Sequence, residues 1–388
     1  MSRVCRKNRS QHQVLQKRLR LLQEYIPSHY SAKFVNPCWY DSRKSPSRDN
    51  DEHMKMLWKK AEQKVTCDTP LSYNPSLEKL AIKLAKNSHV NEMYLHCLPS
   101  FFVSGFSKCA STTLHRMIIQ HPQIAEPKCK ENNFWQRFVN QQGTDLDKKM
   151  QILQYLNHFS SSISKIESDP QKIAFDASIG YLASGTDSDF CVLPNLLMRV
   201  LPRAKFIVIM RNPSRRVLSH YFYYLRKHFS SQKEYSKYIS RKKALDTFHH
   251  QTSKVIMRFL SCTDSGHSAL SCVKNKTIDD RNTEYYYVGL QTCMYYYHLL
   301  PWLSIWPRER FLFLRTEDLA DDFSLTMSKV WHFLNLDDFS ETKVVFEKLN
   351  GHPKLPAHTK ELLDTFFQPH NELLANLLSD SRYLWKDI

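Results

Sequence analysis

The stretch Phe101-Phe102-Val103-Ser104-Gly105-Phe106-Ser107-Lys108-Cys109-Ala110-Ser111-Thr112-Thr113-Leu114 runs from an apolar segment into a turn of small residues, a lysine and hydroxyls, and that turn opens a helical pattern. A strand ending where a helix begins points unpaired backbone N–H groups and the positive end of the helix dipole into one small volume, and Lys108 adds a full charge there. The turn reads as an anion cradle lined by Lys108, Cys109, Ala110, Ser111, Thr112 and Thr113. It is not the ATP-binding P-loop, which places Gly-Lys-Ser/Thr after a glycine and four further residues. Here Lys108 follows Gly105 by three positions, and position 110 is alanine.

Working outward, further short apolar runs read as buried parallel strands: Ile173 to Phe175, Phe206 to Met210 and Phe311 to Leu314. Helical patterns fall between them at Thr112 to Gln120, Leu146 to Phe159 and Leu193 to Val200, and more helix is expected over Glu284 to Trp302 and Phe323 to Leu334. Strand and helix alternating in this way predict an α/β fold, a P-loop-like doubly wound parallel sheet flanked by helices. A further helix is expected over Leu77 to Leu95. The polar, charged segment Tyr235 to Asp280 reads as a surface excursion. Residues 1–65, polar and mixed, read as a basic N-terminal stem that wraps the domain around Cys38-Trp39-Tyr40, and 66–388 as one large domain whose anion-binding core begins at about 99.

A formal charge of +17 over 388 residues implies an acidic partner, because so basic a surface draws polyanions. Nucleic acid, an anionic membrane and a sulfated glycan all qualify; zinc-finger spacing, an RNA-binding aromatic signature and a homeodomain pattern are missing, which favours the glycan over nucleic acid. Ten cysteines without a Cys-x-x-Cys pair suit a secretory compartment better than the cytosol. Asn8-Arg9-Ser10 and Asn275-Lys276-Thr277 are glycosylation sequons, the second close to Cys262 and Cys272. These two cysteines are expected to pair, with two free thiols in an insertion as the alternative. The chain contains no apolar run of about 18 residues. Its first 23 residues carry no acid and place Leu15, Leu19, Leu22 and Ile26 on one helical face, either a basic stem or a mitochondrial-type address. None of the eighteen histidines has metal-ligand spacing, and no metal is expected.

Four motifs in order resemble the carbohydrate sulfotransferases that use 3′-phosphoadenosine 5′-phosphosulfate (PAPS). Lys108 to Leu114 resembles their donor loop, apart from Ala110 where glycine is usual. Lys130-Glu131-Asn132-Asn133-Phe134-Trp135 is similar to their Lys-Glu-x-x-aromatic-aromatic element. Arg211-Asn212-Pro213 through Ser219 is similar to their 3′-phosphate element, with Asn212 where aspartate is frequent. Gly289 through Trp302 resembles a Gly-x-Tyr…Trp-Leu helix, with Gln291 in the tyrosine position. Flanking text from about residue 36 to the C-terminus, including Asn36 to Tyr40, Cys97-Leu98-Pro99 and Leu362 to Trp385, extends the likeness toward the members that sulfate glycosaminoglycans.

The resemblance implies PAPS as co-substrate and no metal. Lys108 would neutralise the bridging oxygen of the donor, Glu131 would be the general base, and Arg211 with Ser219 would grip the 3′-phosphate. Ser178, in the turn Asp176-Ala177-Ser178, would touch the acceptor, and Lys354, in Asn350-Gly351-His352-Pro353-Lys354, would close over the nucleotide. Arg215 and Arg216 read as surface charge or acceptor contacts and are left unassigned. The implied acceptor is the 6-hydroxyl of N-acetylgalactosamine (4-sulfate) in chondroitin or dermatan sulfate. The implied location is the Golgi lumen, where family members hang from a membrane anchor. A catalytically inactive glycan-binding homologue, to which Ala110 leans, and an enzyme acting on heparan sulfate or another acceptor stay open. A nucleotide kinase is disfavoured by the lysine position, and a small-molecule cytosolic enzyme would need neither the charge nor the cysteines.

Overall fold

The computed structural model describes residues 5, 9–41, 93–140, 142–185, 190–240, 242–279, 287–340 and 353–386. Six strands are found among them: β1 (Cys38–Asp41), β2 (Tyr94–Cys97), β3 (Phe101–Gly105), β4 (Phe175–Asp176), β5 (Lys205–Met210) and β6 (Phe311–Arg315). The last four form a parallel sheet in the order β4-β3-β5-β6, and β1 pairs antiparallel with β2. The four apolar runs are therefore the four strands of the main sheet.

Aromatic ladders pin its register. Phe102 lies opposite Phe206, and Phe206 opposite Phe311, with rings stacked at 5.3 and 5.0 Å. Phe101, on the other face because strand side chains alternate, stacks on Phe175 of β4 at 5.0 Å. A slip by one residue would send each of these rings to the wrong face. The chain passes from β3 to β4 on one side and then to β5 on the other, so the order of connection reverses beside β3. In open α/β sheets ligands bind outside the strand C-termini at such a switch point.

Helices Ser111–Ile118, Asp145–His158, Val192–Val200 and Phe323–Leu334 lie where the periodicity places them. Thr144 and Asp147 close a capping box at the second, and Asp322 caps the fourth by accepting from Leu325 N–H. Over Glu284 to Trp302 the described part is a short 3₁₀ turn, Gln291–Cys293, followed by helix Tyr295–Leu303.

The basic N-terminal segment is expected to wrap the domain as a polar stem, and its helix Arg9–Gln23 packs by Leu15, Leu19 and Leu22, with Ile26 just beyond it, in the main core, while Cys5 is disulfide-bonded to Cys191 and Cys38 to Cys97. Two expectations change. Leu77 to Leu95 ends in strand β2, and the rest of it lies outside the described residues. The supposed excursion Tyr235 to Asp280 is a helical layer. Helices Gln232–Ile239, Lys242–Asp264 and Ala269–Lys274 bury Tyr235, Phe248, Val255 and Phe259 in a second apolar cluster with helices Pro213–Arg226 and Ala357–Leu378. Ala244, Phe248, Val255 and Phe259 recur at helical spacing, a signal masked by the polar residues between them. Cys262 and Cys272 pair as expected, followed by an exposed Asn275 and Thr277. Cys129 is also disulfide-bonded.

Candidate active site

Strand β3 delivers the anion cradle to the switch point. The chain leaves Gly105, turns through Lys108 and Ala110 with left-handed φ of 65° and 61°, and enters helix Ser111–Ile118 with Ala110 as its N-cap. The first N–H groups of a helix have no intrahelical acceptor, so those of Ser111, Thr112 and Thr113 gather at the mouth of the loop. Ala110 keeps the left-handed geometry that glycine adopts without a steric cost, and its methyl does not drive the loop from that conformation.

Strand β5 brings Arg211 alongside. Its Nη1 donates to Lys108 O at 3.4 Å, and Tyr295 Oη donates to Arg211 O at 2.9 Å. Asn212 caps helix Pro213–Arg226 by accepting from Arg215 N–H at 3.1 Å, with Pro213 in the first turn where its missing N–H costs nothing. Ser219 lies two turns into this helix and is almost fully buried.

Arg216, taken from the sequence as surface charge or an acceptor contact, is fully buried beneath the donor loop. Its Nε donates to Ser107 O at 2.9 Å and its Nη2 to Ser107 Oγ at 2.6 Å. Its Nη1 donates to Gly289 O at 2.9 Å and lies 3.0 Å from Cys293 Sγ. Gly289, at φ +73°, could carry no side chain, because a Cβ would come within 2.3 Å of His220. The motif glycine is thus explained by the close approach of His220 to the backbone that Arg216 holds. Cys109 and Cys293 are buried free thiols, and burial pushes Cys109 up to about 11, so it packs as a neutral thiol.

The Glu131 turn is held by the residues that follow β4. Glu131 and Asn133 are left-handed, at φ 63° and 55°. Glu131 N–H donates to Ala177 O at 3.1 Å, Asn133 Nδ2 to Glu131 O at 2.8 Å, and Asn133 N–H to Ser178 Oγ at 2.9 Å. Ser178 Oγ in turn donates to Asp176 Oδ1 at 2.5 Å, while Tyr155 and Tyr181 donate to Asp176 Oδ2 at 2.9 and 2.7 Å. Asp176, Ser178, Tyr155 and Tyr181 are inaccessible to solvent or nearly so. Burial raises the Asp176 carboxyl above its ordinary range, opposed by these hydroxyl donors. Ser178, expected to touch an acceptor, is buried, and its hydroxyl joins the Glu131 turn to Asp176. Phe134 and Trp135 point into the core, the first stacked on Tyr155 and the second meeting it edge-on.

One lysine joins the two halves. Lys130 Nζ pairs with Glu131 Oε1 at 2.5 Å and donates to Thr112 Oγ1 at 3.2 Å, tying the carboxylate to the first turn of the donor-loop helix. Sequence reasoning left Lys130 unassigned. The structure therefore brings Lys108, Ser111 to Thr113, Arg211 and Glu131 around one crevice at the sheet's switch point.

A sulfotransferase domain model matches residues 98–359, more than half of the chain. The chain belongs to the sulfotransferase family. Human carbohydrate sulfotransferase 15 is 26% identical over 399 residues, covering 93% of this chain and 66% of that protein, so this sulfotransferase chain spans just under two thirds of its relative's length. The membrane-associated sulfotransferase kil1 of Dictyostelium discoideum is 25% identical over 334 residues, covering 74% of this chain and 66% of its own. A sulfotransferase from Alicyclobacillus acidocaldarius is 18% identical, with a TM-score of 0.48, over 74% of this chain and 99% of that one.

Lys354 is exposed in the segment leading into helix Ala357–Leu378, while Asn350, Gly351 and His352 lie outside the described residues. Among the described residues no group of His, Cys, Asp and Glu is placed to hold a metal ion, and no helix is long and apolar enough to cross a membrane.

Proposed function

We propose that this sulfotransferase moves a sulfuryl group from PAPS to a sugar hydroxyl of a glycosaminoglycan, namely the 6-hydroxyl of N-acetylgalactosamine 4-sulfate in chondroitin or dermatan sulfate, in the Golgi lumen. The observation that carries the reading is the Lys130 bridge, which sets a carboxylate at the mouth of an anion cradle. The cradle fits a phosphosulfate: two left-handed residues open the loop, helix N–H groups line it, and Lys108 and Arg211 supply charge.

In this reading Arg211 and Ser219 hold the 3′-phosphate, and Lys354 closes over the nucleotide. Glu131 accepts the proton of the acceptor hydroxyl as its oxygen bonds to sulfur. The bond from sulfur to the bridging oxygen breaks, the electron pair stays on the leaving phosphate, and Lys108 with the donors of Ser111, Thr112 and Thr113 stabilises that charge. Lys130 orients the carboxylate and links it to the donor helix. The disulfides support an oxidising compartment, the basic charge supports a polyanionic acceptor, and the names of the relatives support a carbohydrate.

Transfer of labelled sulfate from PAPS to a panel of chondroitin, dermatan and heparan sulfates, with disaccharide analysis, tests the proposal. New 6-sulfate on N-acetylgalactosamine 4-sulfate is the expected product. A label found on heparan sulfate alone would overturn the acceptor, and calorimetric binding of glycan without binding of nucleotide would overturn the enzyme.

A further inference from the structure

Helix Pro213–Arg226 carries a stripe that the donor site does not use up. Residues four apart on a helix lie on one side, about 6 Å further along the axis. Arg215, Ser219, Tyr223 and, just past the helix end, Lys227 make such a row. Ser219 belongs to the proposed nucleotide contacts. One turn beyond it, Tyr223 leaves 45% of its surface exposed, although its neighbours Tyr221, Phe222 and Leu225 are buried. Lys108 Nζ lies 4.0 Å from the Tyr223 ring centre. Lys227 Nζ stands 4.9 Å from the ring of Tyr223 and equally far from that of Tyr224. An exposed ring is thus held between the lysine of the donor loop and a second lysine farther along the helix.

Packing does not account for this arrangement, because the core beneath is filled by the buried neighbours and the ring faces outward. A tyrosine offers an apolar face with a polar tip, suited to a sugar ring, which is itself apolar on its C–H faces and polar at its rim. A lysine offers a compact point charge with three donors, suited to an anionic substituent. Arg226 and His228 are exposed beside Lys227 and make this end of the helix basic.

Resting on the sulfotransferase reading above, we propose that Tyr223 and Lys227 form the acceptor subsite beside Lys108. The Tyr223 ring packs against the acceptor sugar, and Lys227 takes an anionic group that the acceptor already carries, a sulfate ester or a uronate carboxylate. Along one helix the site then orders nucleotide phosphate at Ser219, the reacting sulfate at Lys108 and Tyr223, and the acceptor anion at Lys227. Lys227 becomes a specificity determinant, because an acceptor lacking the anion leaves its ammonium unmatched.

The test uses the full chain with PAPS and three acceptors: chondroitin 4-sulfate, desulfated chondroitin, and desulfated chondroitin with reduced carboxyls. Lys227→Ala should raise KM for chondroitin 4-sulfate about tenfold, the loss of one charge-assisted contact. Affinity for the desulfated nucleotide product should stay within about twofold, as for a surface substitution remote from it. If the sulfate ester is read, the wild-type preference for the 4-sulfated over the desulfated chain collapses in the mutant. If the carboxylate is read, the mutant loses discrimination between the two desulfated acceptors instead. Tyr223→Ala should raise KM for all three, and Tyr223→Phe, which keeps the ring, should restore it. Unchanged KM for every acceptor in Lys227→Ala overturns the subsite while leaving the sulfotransferase reading intact. Should wild-type chain transfer to no glycan, that reading fails, and calorimetric binding of the same three glycans decides the subsite: weaker binding by Lys227→Ala upholds it, equal binding overturns it.

Discussion

The two sides of the crevice rest on buried polar groups of opposite kind. Beneath the donor loop sits the Arg216 guanidinium, spending its donors on Ser107, Gly289 and Cys293. Beneath the Glu131 turn sits the Asp176 carboxyl, receiving hydroxyls from Ser178, Tyr155 and Tyr181. Each group is fully buried and is met in these bonds by neutral partners. The two sides divide the labour in the same way. Lys108 and Glu131, proposed above as the reacting groups, are partly exposed, while an inaccessible polar hub fixes the backbone that carries each. Arg216 adds positive potential where the anion is proposed to bind. Asp176, its carboxyl raised by burial, contributes chiefly geometry.

The largest effects should come from the reacting groups. Glu131→Gln keeps shape but cannot accept a proton, and kcat should fall by about two to four orders of magnitude with nucleotide affinity intact. Lys108→Ala should likewise abolish turnover with a modest loss of nucleotide affinity, since its main contact strengthens as the leaving oxygen gains charge. Steady-state rates and calorimetry separate the two variants. Full activity in Glu131→Gln would remove the base from this turn altogether, because Asp176 has no exposure through which to replace it.

The hubs should divide by side. Arg216→Met leaves the carbonyls of Ser107 and Gly289 short of donors and should cost about 2 to 4 kcal/mol of stability. Its surviving activity should show a raised KM for PAPS and an unaltered KM for the glycan. Asp176→Asn removes one acceptor oxygen from three hydroxyls and should cost about 1 to 2 kcal/mol, lowering kcat through the Glu131 turn with KM for PAPS unmoved. Denaturant unfolding and two-substrate kinetics check both. If either variant shifts the parameter assigned to the other, the two sides act as one unit.

Much of this was legible in the chain. The strands of the main sheet announce themselves as uninterrupted apolar runs because both faces of a parallel sheet are covered, and the donor loop because its small, basic and hydroxyl residues stand at a strand end. Arg216 was not legible. A charged residue beside Arg215 in a helical stretch looks solvated, and only the fold shows that Arg215 lies on the exposed stripe with Tyr223 and Arg226 while Arg216 turns inward beneath the loop. The setting of the Ser178 hydroxyl was not legible for a related reason: it meets a buried carboxylate that the fold also joins to Tyr181 nearby in sequence and to the more distant Tyr155. Lys130 escaped because its partner Thr112 is eighteen residues away. Long-range polar pairings of this kind leave no periodicity to read.

Acid should loosen both sides. Burial, then Lys130 and Arg116, lowers His115 on the donor-loop helix to about 4, and burial, then Lys128, lowers His158 behind the acceptor turn to about 3. Below about 6.5 the unfolded chain takes up these protons while the fold does not, so stability falls as pH drops toward those values, by up to about 1.4 kcal/mol per pH unit for each histidine. Asp176 acts with the opposite sign: its raised value favours the fold at low pH, and that contribution is lost as pH rises through the folded value. Chemical unfolding between pH 7.5 and 5 should show the decline, and His115→Gln should flatten it by one proton's worth. An unchanged slope would mean that His115 takes up its proton alike in the folded and the unfolded chain.

The smallest predicted effects contrast one left-handed residue from each side. Ala110 at φ 61° has no side-chain group that could cap the helix and carries a Cβ where the conformation disfavours one. Ala110→Gly removes a strain of about 1 to 2 kcal/mol but gives the unfolded chain more freedom, so the net gain should be about 1 kcal/mol or less. Asn133, at φ 55°, is of a residue type that tolerates this region, and its side chain donates to Glu131 O at 2.8 Å. Asn133→Gly therefore relieves little and loses that bond, and should destabilise by about 0.5 to 1.5 kcal/mol. Opposite signs from the same change to glycine would show that the donor loop bears its strain in the backbone, whereas the Glu131 turn is stitched by side chains. Destabilisation by both would mean that the Ala110 methyl packs usefully where it stands, and that the loop is as dependent on side-chain contacts as the turn across the crevice.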